Sequence, residues 1–323
     1  MAGWADAAGL AVVDQWISPF GPWHDNVGVF RHRGFDPALA QLTPDLTVVF
    51  DNELQNSWPL DLPVEIEHGE GVEWKYDFLQ RLIGQLAPEF YFEIGVFEGA
   101  SLRLAPCRAL GIDPEPVLTA PLAENHHISR TTSDDFFTLT DGPATMPTID
   151  LAYIDGMHLA EFVLKDFMNV ERSCGAHSVV LIDDIYPAHP LQAERRRQSQ
   201  YWTGDVWKII PILRGARPDL ILMPINTEPT GTLVIIGTDP TNNELWPRYD
   251  VLADWILNNM KDVHPDILDR DRCFDPHDPI ISRVMGMLRH SRQFATSDPE
   301  YSRVILDRIR HLVNGSKPRR VAP

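Results

Sequence analysis

The chain has 323 residues, of which 44% are apolar and 23% charged, with a formal net charge of −18. This length and apolar content suit one sizeable folded domain with appendages, or two domains, and exclude a disordered or fibrous chain. The negative balance argues against a nucleic-acid partner, and no uninterrupted apolar run approaches the ~18 residues that cross a bilayer.

Cys107, Cys174 and Cys273 are widely separated, with no C-x-x-C pair, and Cys174 with His177 lacks a second ligand pair to make a zinc site. The first ten residues carry no basic group ahead of their short apolar run, so they do not read as a secretory signal, and a soluble, cytoplasmic protein is expected.

Residues 1–72 contain Trp4, Trp16, Trp23 and Trp58 among many prolines and glycines, with only short strand-like pieces such as 46–50. They read as an irregular appendage whose aromatics pack on the main domain or on a second subunit. A lid over a substrate pocket is the functional alternative. From residue 73 the pattern is regular. Trp74, Phe78, Leu79, Leu82, Ile83 and Leu86 recur at helical spacing, and Pro88 ends that helix before an apolar strand at 90–94.

That strand stops at Glu93-Ile94 and enters Gly95-Val96-Phe97-Glu98-Gly99-Ala100-Ser101. Two glycines let the main chain approach a ligand closely, and a helix over 100–110, kinked or shortened by Pro106, is expected to follow. Glu93 and Glu98 would repel a pyrophosphate and attract an ammonium. A second short strand ends at Asp113, 20 residues beyond Glu93, the distance at which a βαβ unit delivers an acid to a ribose. Asp113 could equally begin a turn before Pro114.

After a loop or weak helix at 115–127, a third strand at 128–132 runs into Ser133-Asp134-Asp135-Phe136-Phe137. Ser133 or Asp134 can cap a short helix, and a polar pair beside two aromatics also suits an adenine pocket. The strand at 149–154 delivers Asp155-Gly156-Met157-His158, a helix over 158–173 follows, and Gly175 closes it. The strand at 178–182 then delivers Asp183-Asp184. Three carboxylates at the ends of two adjacent parallel strands occupy the place where open α/β sheets bind ligands. Oxygen-only ligation there suits a hard cation such as Mg²⁺, while turn formation is the competing role of Asp183-Asp184. His158, three positions beyond Asp155, could take a proton from a hydroxyl made acidic by that cation.

Residues 187–208 break the βα alternation and follow Asp184 directly, so they must lie over the strand ends. Their run Arg195-Arg196-Arg197 could hold an anionic or polyhydroxylated substrate, form a solvated helix face or make a subunit contact. The six residues 226–231 join strands at 220–225 and 232–236. A link so short cannot hold a crossover helix and makes those strands an antiparallel hairpin, unlike the parallel βα units with which a dinucleotide dehydrogenase continues. Helical stretches at 244–263, 280–292 and 297–313 follow, with Ser297 and Glu300 at capping-box spacing. They are expected to cover the domain or make a dimer contact.

On these motifs, residues 74–240 resemble the class I S-adenosylmethionine-dependent methyltransferases, in particular bacterial small-molecule O-methyltransferases of sugar/macrolide or catechol type. The resembling motifs are Glu93 to Ser101, Ile154-Asp155-Gly156-Met157-His158 and Asp183-Asp184. The resemblance implies that Glu93, Gly95, Gly99 and Ser101, with Val96 and Phe97 in the same turn, surround the methionine part of S-adenosylmethionine. It places Asp113 on the ribose hydroxyls, Ser133 and Asp134 at the adenine, and Asp155 beside the cofactor. It makes Asp155, Asp183 and Asp184 the Mg²⁺ ligands, and the 28-residue separation of Asp155 and Asp183 agrees with that family's spacing. Catechol-type enzymes have a lysine where this chain has His158 and an asparagine where it has Asp184.

The expected organisation is an appendage at 1–72, an S-adenosylmethionine-binding domain at 73–240 and a helical extension at 241–323. The expected fold is doubly wound α/β with a Rossmann-like seven-stranded sheet, mostly parallel, ending in an antiparallel hairpin. The expected function is Mg²⁺-dependent O-methylation of a small-molecule hydroxyl, such as that of a sugar or glycosylated natural product, by a homodimer, with His158 as the base. The alternatives are a metal-independent transferase using His158 alone, a catalytically silent nucleotide-binding or scaffold protein, and a dehydrogenase.

Overall fold

The computed structural model describes residues 68–139, 146–294 and 299–316. The aromatic appendage up to residue 67, the stretch at 46–50, Ser297 of the proposed capping box and the basic end at 317–320 lie outside them. The described strands are β1 (Glu73–Trp74), β2 (Phe90–Ile94), β3 (Arg108–Ile112), β4 (His126–Ser129), β5 (Ile149–Ile154), β6 (Cys174–Ile182), β7 (Ile221–Ile225), β8 (Thr227–Glu228) and β9 (Thr232–Ile236). The helices are α1 (Lys75–Leu86), α2 (Ser133–Leu139), α3 (Ala160–Glu171), α4 (Ile209–Ala216), α5 (Tyr249–Asn258), α6 (Pro265–Leu268), α7 (Pro279–Arg292) and α8 (Pro299–Gly315).

Seven strands form one sheet in the order β4-β3-β2-β5-β6-β9-β7. The first five are mutually parallel, and β9 lies antiparallel between β6 and β7. The short link after β7 forces that reversal, as the sequence pattern predicts. A separate two-stranded pair joins β1 to β8 and pins the start of α1 to the hairpin turn.

Both sheet faces are covered, which is why the central strands read as nearly continuous apolar runs. Val180 and Ile182 of β6 point into one core with α3, α4 and α5, while Val179 and Leu181 point into the other with α1, α7 and α8. Phe78, Leu79, Leu82, Ile83 and Leu86 of α1 are buried as their spacing predicts. The helices α7 and α8 complete the covering layer on the α1 side.

Four local expectations are corrected. No α-helix follows the glycine turn: a single 3₁₀ turn at Leu102–Leu104 leads to Ala105, which is extended, and β3 begins at Arg108. Pro106 removes a donor, and the Ser101 hydroxyl is engaged by Glu93 and not by a helix N-terminus. The third strand is His126–Ser129, earlier than expected, and Thr132 caps α2, its hydroxyl accepting from Asp135 N–H at 3.1 Å. His158 precedes α3, which starts at Ala160 with Leu159 as its cap residue. Gly175 lies inside β6, which begins at Cys174, and does not close α3.

Candidate active site

Register builds the site. Ile94 of β2 lies beside Ile112 of β3 and Ile154 of β5, and Ile154 lies beside Ile182 of β6. Gly95, Asp113, Asp155 and Asp183 therefore emerge side by side at the carboxyl ends of four adjacent parallel strands, where such a sheet presents ligands.

The glycine turn is closed tightly onto its neighbours. Gly95 has φ +88°, and a Cβ there would come 1.9 Å from the Asp155 carbonyl oxygen, so only glycine fits between the two strand ends. Gly99 has φ +74°. Val96 is buried, whereas Phe97 is 65% exposed at the mouth of the turn. Asp113 turns inward: its Oδ2 accepts from Val96 N–H at 2.9 Å and Phe97 N–H at 2.7 Å, and its Oδ1 accepts from Glu115 N–H. The turn's free N–H groups thus face a carboxylate.

Glu93 is fully buried beneath this turn. Tyr91 O–H and Ser101 O–H each donate to it at 2.7 Å. Burial pushes its pKa up to about 8, with the Ser101 and Tyr91 hydrogen bonds pulling the other way. Glu93 supports the turn from below and presents no open carboxylate to a ligand.

At β5 and β6 the three carboxylates divide between two cations. The Lys75 ammonium, at the start of α1, donates to Asp183 Oδ2 at 2.5 Å and to Asp155 Oδ2 at 3.2 Å. Asp183 Oδ1 accepts from Thr232 O–H at 3.2 Å. Burial opposes the Asp183 charge and pushes its pKa up to about 7 against the pull of Lys75. Burial also opposes the Lys75 charge, but Asp155 and Asp183 hold its pKa well above the usual lysine range.

His158 occupies the other side. Its Nδ1 lies 2.8 Å from the Trp202 carbonyl and 3.0 Å from Asp184 Oδ2, and its Nε2 lies 3.4 Å from Asp155 Oδ1. Burial opposes the imidazolium, yet Asp184 and Asp155 raise its pKa well above the ordinary histidine value. For Asp155 burial acts upward, but Lys75 and His158 hold its carboxyl well below the usual range.

Ligand atoms of Asp155, His158 and Asp184 lie within 4.8 Å of one another. This set differs from the expected Asp155, Asp183 and Asp184: His158 enters it and Asp183 is bound by Lys75. Two carboxylate oxygens suit Mg²⁺, whereas an imidazole nitrogen better suits a transition ion such as Mn²⁺.

Ser133 and Asp134 sit at the start of α2 against α3, where Asp134 pairs with Lys165 at 2.7 Å. Burial pushes the Asp166 pKa up to about 7, with a Ser133 hydrogen bond opposing. Phe136 and Phe137 pack on Phe92 at 6.2 and 6.0 Å between ring centroids, making them core more than an open base cover.

The segment at 187–208 lies over this site. Trp202 stacks on the His158 ring at 5.1 Å and 7°. Arg195 is buried, donating at 2.9 and 2.5 Å to Glu161 and at 2.6 Å to Asp205, whose Oδ1 accepts from Ala160 N–H at the start of α3. Lys75, Trp202, Gly204 and Asp205 were missed from sequence. For Lys75 the one available signal was its place at the start of a helix running into the first strand.

Residues 92–185 match the sequence profile of a methyltransferase domain. No curated protein matches the chain. Three similar solved structures can be compared. Cofactor-bound Rv0187 from MTB is 16% identical, with 64% of this chain and 93% of that one covered at a TM-score of 0.41. The O-methyltransferase TomG from Streptomyces achromogenes, involved in tomaymycin synthesis and solved with SAM, is 17% identical, with 63% and 96% covered at 0.40. An O-methyltransferase from Bacillus cereus in complex with SAH is 12% identical, with 62% and 97% covered at 0.39. The methyltransferase-domain profile spans the glycine turn and the strand ends that carry Asp113, Asp155 and Asp183.

Proposed function

We propose that the protein transfers a methyl group from S-adenosylmethionine to a hydroxyl of a small molecule of the sugar or glycosylated natural-product class. The observation that carries this reading is the row formed by Gly95, Asp113, Asp155 and Asp183 across four strand ends, with Gly95 packed on the Asp155 backbone. Two further features favour it over a dinucleotide. No α-helix follows the glycine turn, only one 3₁₀ turn, and Asp113 already takes the Val96 and Phe97 N–H groups that a pyrophosphate would need.

S-adenosylmethionine supplies an electrophilic methyl on a sulfonium, and Mg²⁺ would supply charge that acidifies a hydroxyl. Gly95, Val96, Phe97, Gly99 and Asp113 would hold the methionine and ribose parts, Ser101 and Glu93 would brace the turn, and Ser133 and Asp134 would flank the adenine. Asp155 and Asp184 would hold the ion. The Trp202 carbonyl accepts from His158 Nδ1, which leaves Nε2 to take the acceptor's proton once the imidazole is neutral.

Metal-independent transfer by His158 is the second reading, favoured by the two cations, Lys75 and His158, that already face the three carboxylates. Calorimetry with S-adenosylhomocysteine and with NAD, followed by turnover of methyl-labelled S-adenosylmethionine with and without chelator, separates these readings. Preferential binding of NAD would overturn methyl transfer, and full turnover in chelator would select the metal-independent form.

A further inference from the structure

We propose that Lys75 is a resident cation of the acid cluster: it withdraws Asp183 from any divalent-ion site and sets the orientation of Asp155. The inference rests on the methyltransferase reading only for the place of the acceptor; the ionic arrangement stands on geometry.

Lys75 is held from three sides. The apolar stripe of α1 fixes the helix on the sheet, and the pairing of Glu73 and Trp74 with Thr227 and Glu228 fixes the residues just before it. Arg81 on the next turn of α1 pairs with Glu73 and donates to the Pro276 carbonyl at 2.8 Å. A lysine placed this way loses little further freedom on meeting its acids, unlike a surface lysine.

Both oxygens of Asp183 are taken, Oδ2 by Lys75 and Oδ1 by Thr232, and the residue is only 2% exposed. It therefore has no oxygen turned to the pocket. Asp155 is divided: Oδ2 meets Lys75, and Oδ1 faces His158. Holding one oxygen turns the other toward His158 and Asp184, so the oxygens left for a divalent ion are those of Asp155 and Asp184, beside His158. Lys75 reaches these acids from 80 and 108 residues away in sequence.

The test uses Mn²⁺ titrated into the full chain, with free Mn²⁺ read by electron paramagnetic resonance and folding checked by thermal melting. Removing the lysine frees Asp183 and Asp155 Oδ2, so K75M is expected to bind Mn²⁺ at least ~5-fold more tightly than the native protein, because a nearby positive charge is lost and an oxygen ligand gained. K75R keeps the charge and is expected to stay within ~2-fold of native. Adding D183N to K75M should cancel the gain. If K75M does not fold, K75Q is read in its place. Mn²⁺ affinity that is unchanged or lower without the lysine, or no binding in any variant, overturns the proposal. S-adenosylhomocysteine calorimetry on the same proteins judges the methyltransferase reading separately, since its failure leaves the Mn²⁺ comparison intact.

Discussion

A Cβ on Gly204 would come within 1.8 Å of the His158 carbonyl oxygen. Gly204 has φ +54°, and His158 itself has φ +57°, a conformation that costs a non-glycine residue energy unless its surroundings impose it. The surroundings here are the Trp202 ring stacked on the imidazole, the Trp202 carbonyl on Nδ1, and Gly204 against the backbone. Gly204→Ala is therefore expected to cost about 1–3 kcal/mol in denaturant unfolding. Under the proposed methyl transfer with His158 as base, it should slow turnover at least ~10-fold, while S-adenosylhomocysteine affinity stays within ~3-fold. Native turnover in this variant would show that His158 placement does not matter to the reaction.

The flanking of His158 by Asp155 and Asp184 leads to a pH prediction. Burial disfavours the imidazolium, but the two carboxylates outweigh it, so the folded pKa lies above the unfolded one. The resulting stability is present in full below the ordinary histidine pKa and is lost as pH rises through the raised value. In protein free of divalent ions, an imidazole NMR titration should place the His158 midpoint well above the reference near 6.5. Asp184→Asn should bring it down. A midpoint at or below the reference in the native chain would refute the charged arrangement.

Arg195 joins Glu161 of α3 to Asp205 and so ties the segment at 187–208 to the helix that follows His158. Truncating Arg195 leaves the buried Glu161 carboxylate without its cation, although Asp205 keeps Lys208 at 3.0 Å, and Arg195→Met is expected to destabilise the fold by roughly 3–5 kcal/mol in chemical denaturation. Arg195→Lys should recover only part of this, because an ammonium cannot reproduce the forked contact with two carboxylates. Complete recovery by lysine would mean that charge alone, without geometry, holds the segment.

The sheet was legible from sequence because its strands are buried on both faces, so 90–94, 149–154 and 178–182 read as apolar runs that end in acids. The six-residue link before β9 likewise announced the hairpin. The neighbours of those acids were not legible. Nothing local ties Lys75 to Asp155 and Asp183, and the run Arg195-Arg196-Arg197 splits by burial, with Arg195 buried on Glu161 and Arg196 exposed. The expected helix after Ser101 failed because Pro106 and the Glu93 contact outweighed a permissive composition. The apolar stripe of α3 begins just beyond His158 and so suggests a helix start there, whereas the residue is held in a left-handed turn by a segment 44 residues away.

Glu93 gives the opposite pH signature to an ordinary surface carboxylate. Its folded pKa is raised by burial to about 8 from 4.5, so the folded state favours the protonated form. The stability this contributes is complete below pH ~4.5 and declines as pH rises toward 8, since the unfolded chain releases the proton more readily. Glu93→Gln removes the titration and can still bond to the Tyr91 and Ser101 hydroxyls, which both donate and accept. The variant should therefore match the native protein within about 1 kcal/mol at pH 5 and exceed it by roughly 2 kcal/mol or more at pH 9, since each tenfold difference in proton affinity between the folded and unfolded chain is worth ~1.4 kcal/mol. Urea unfolding of both proteins across that range measures the difference. A gap that stays constant with pH would mean that Glu93 titrates normally, and that a cation from elsewhere in the chain reaches it beneath the glycine turn.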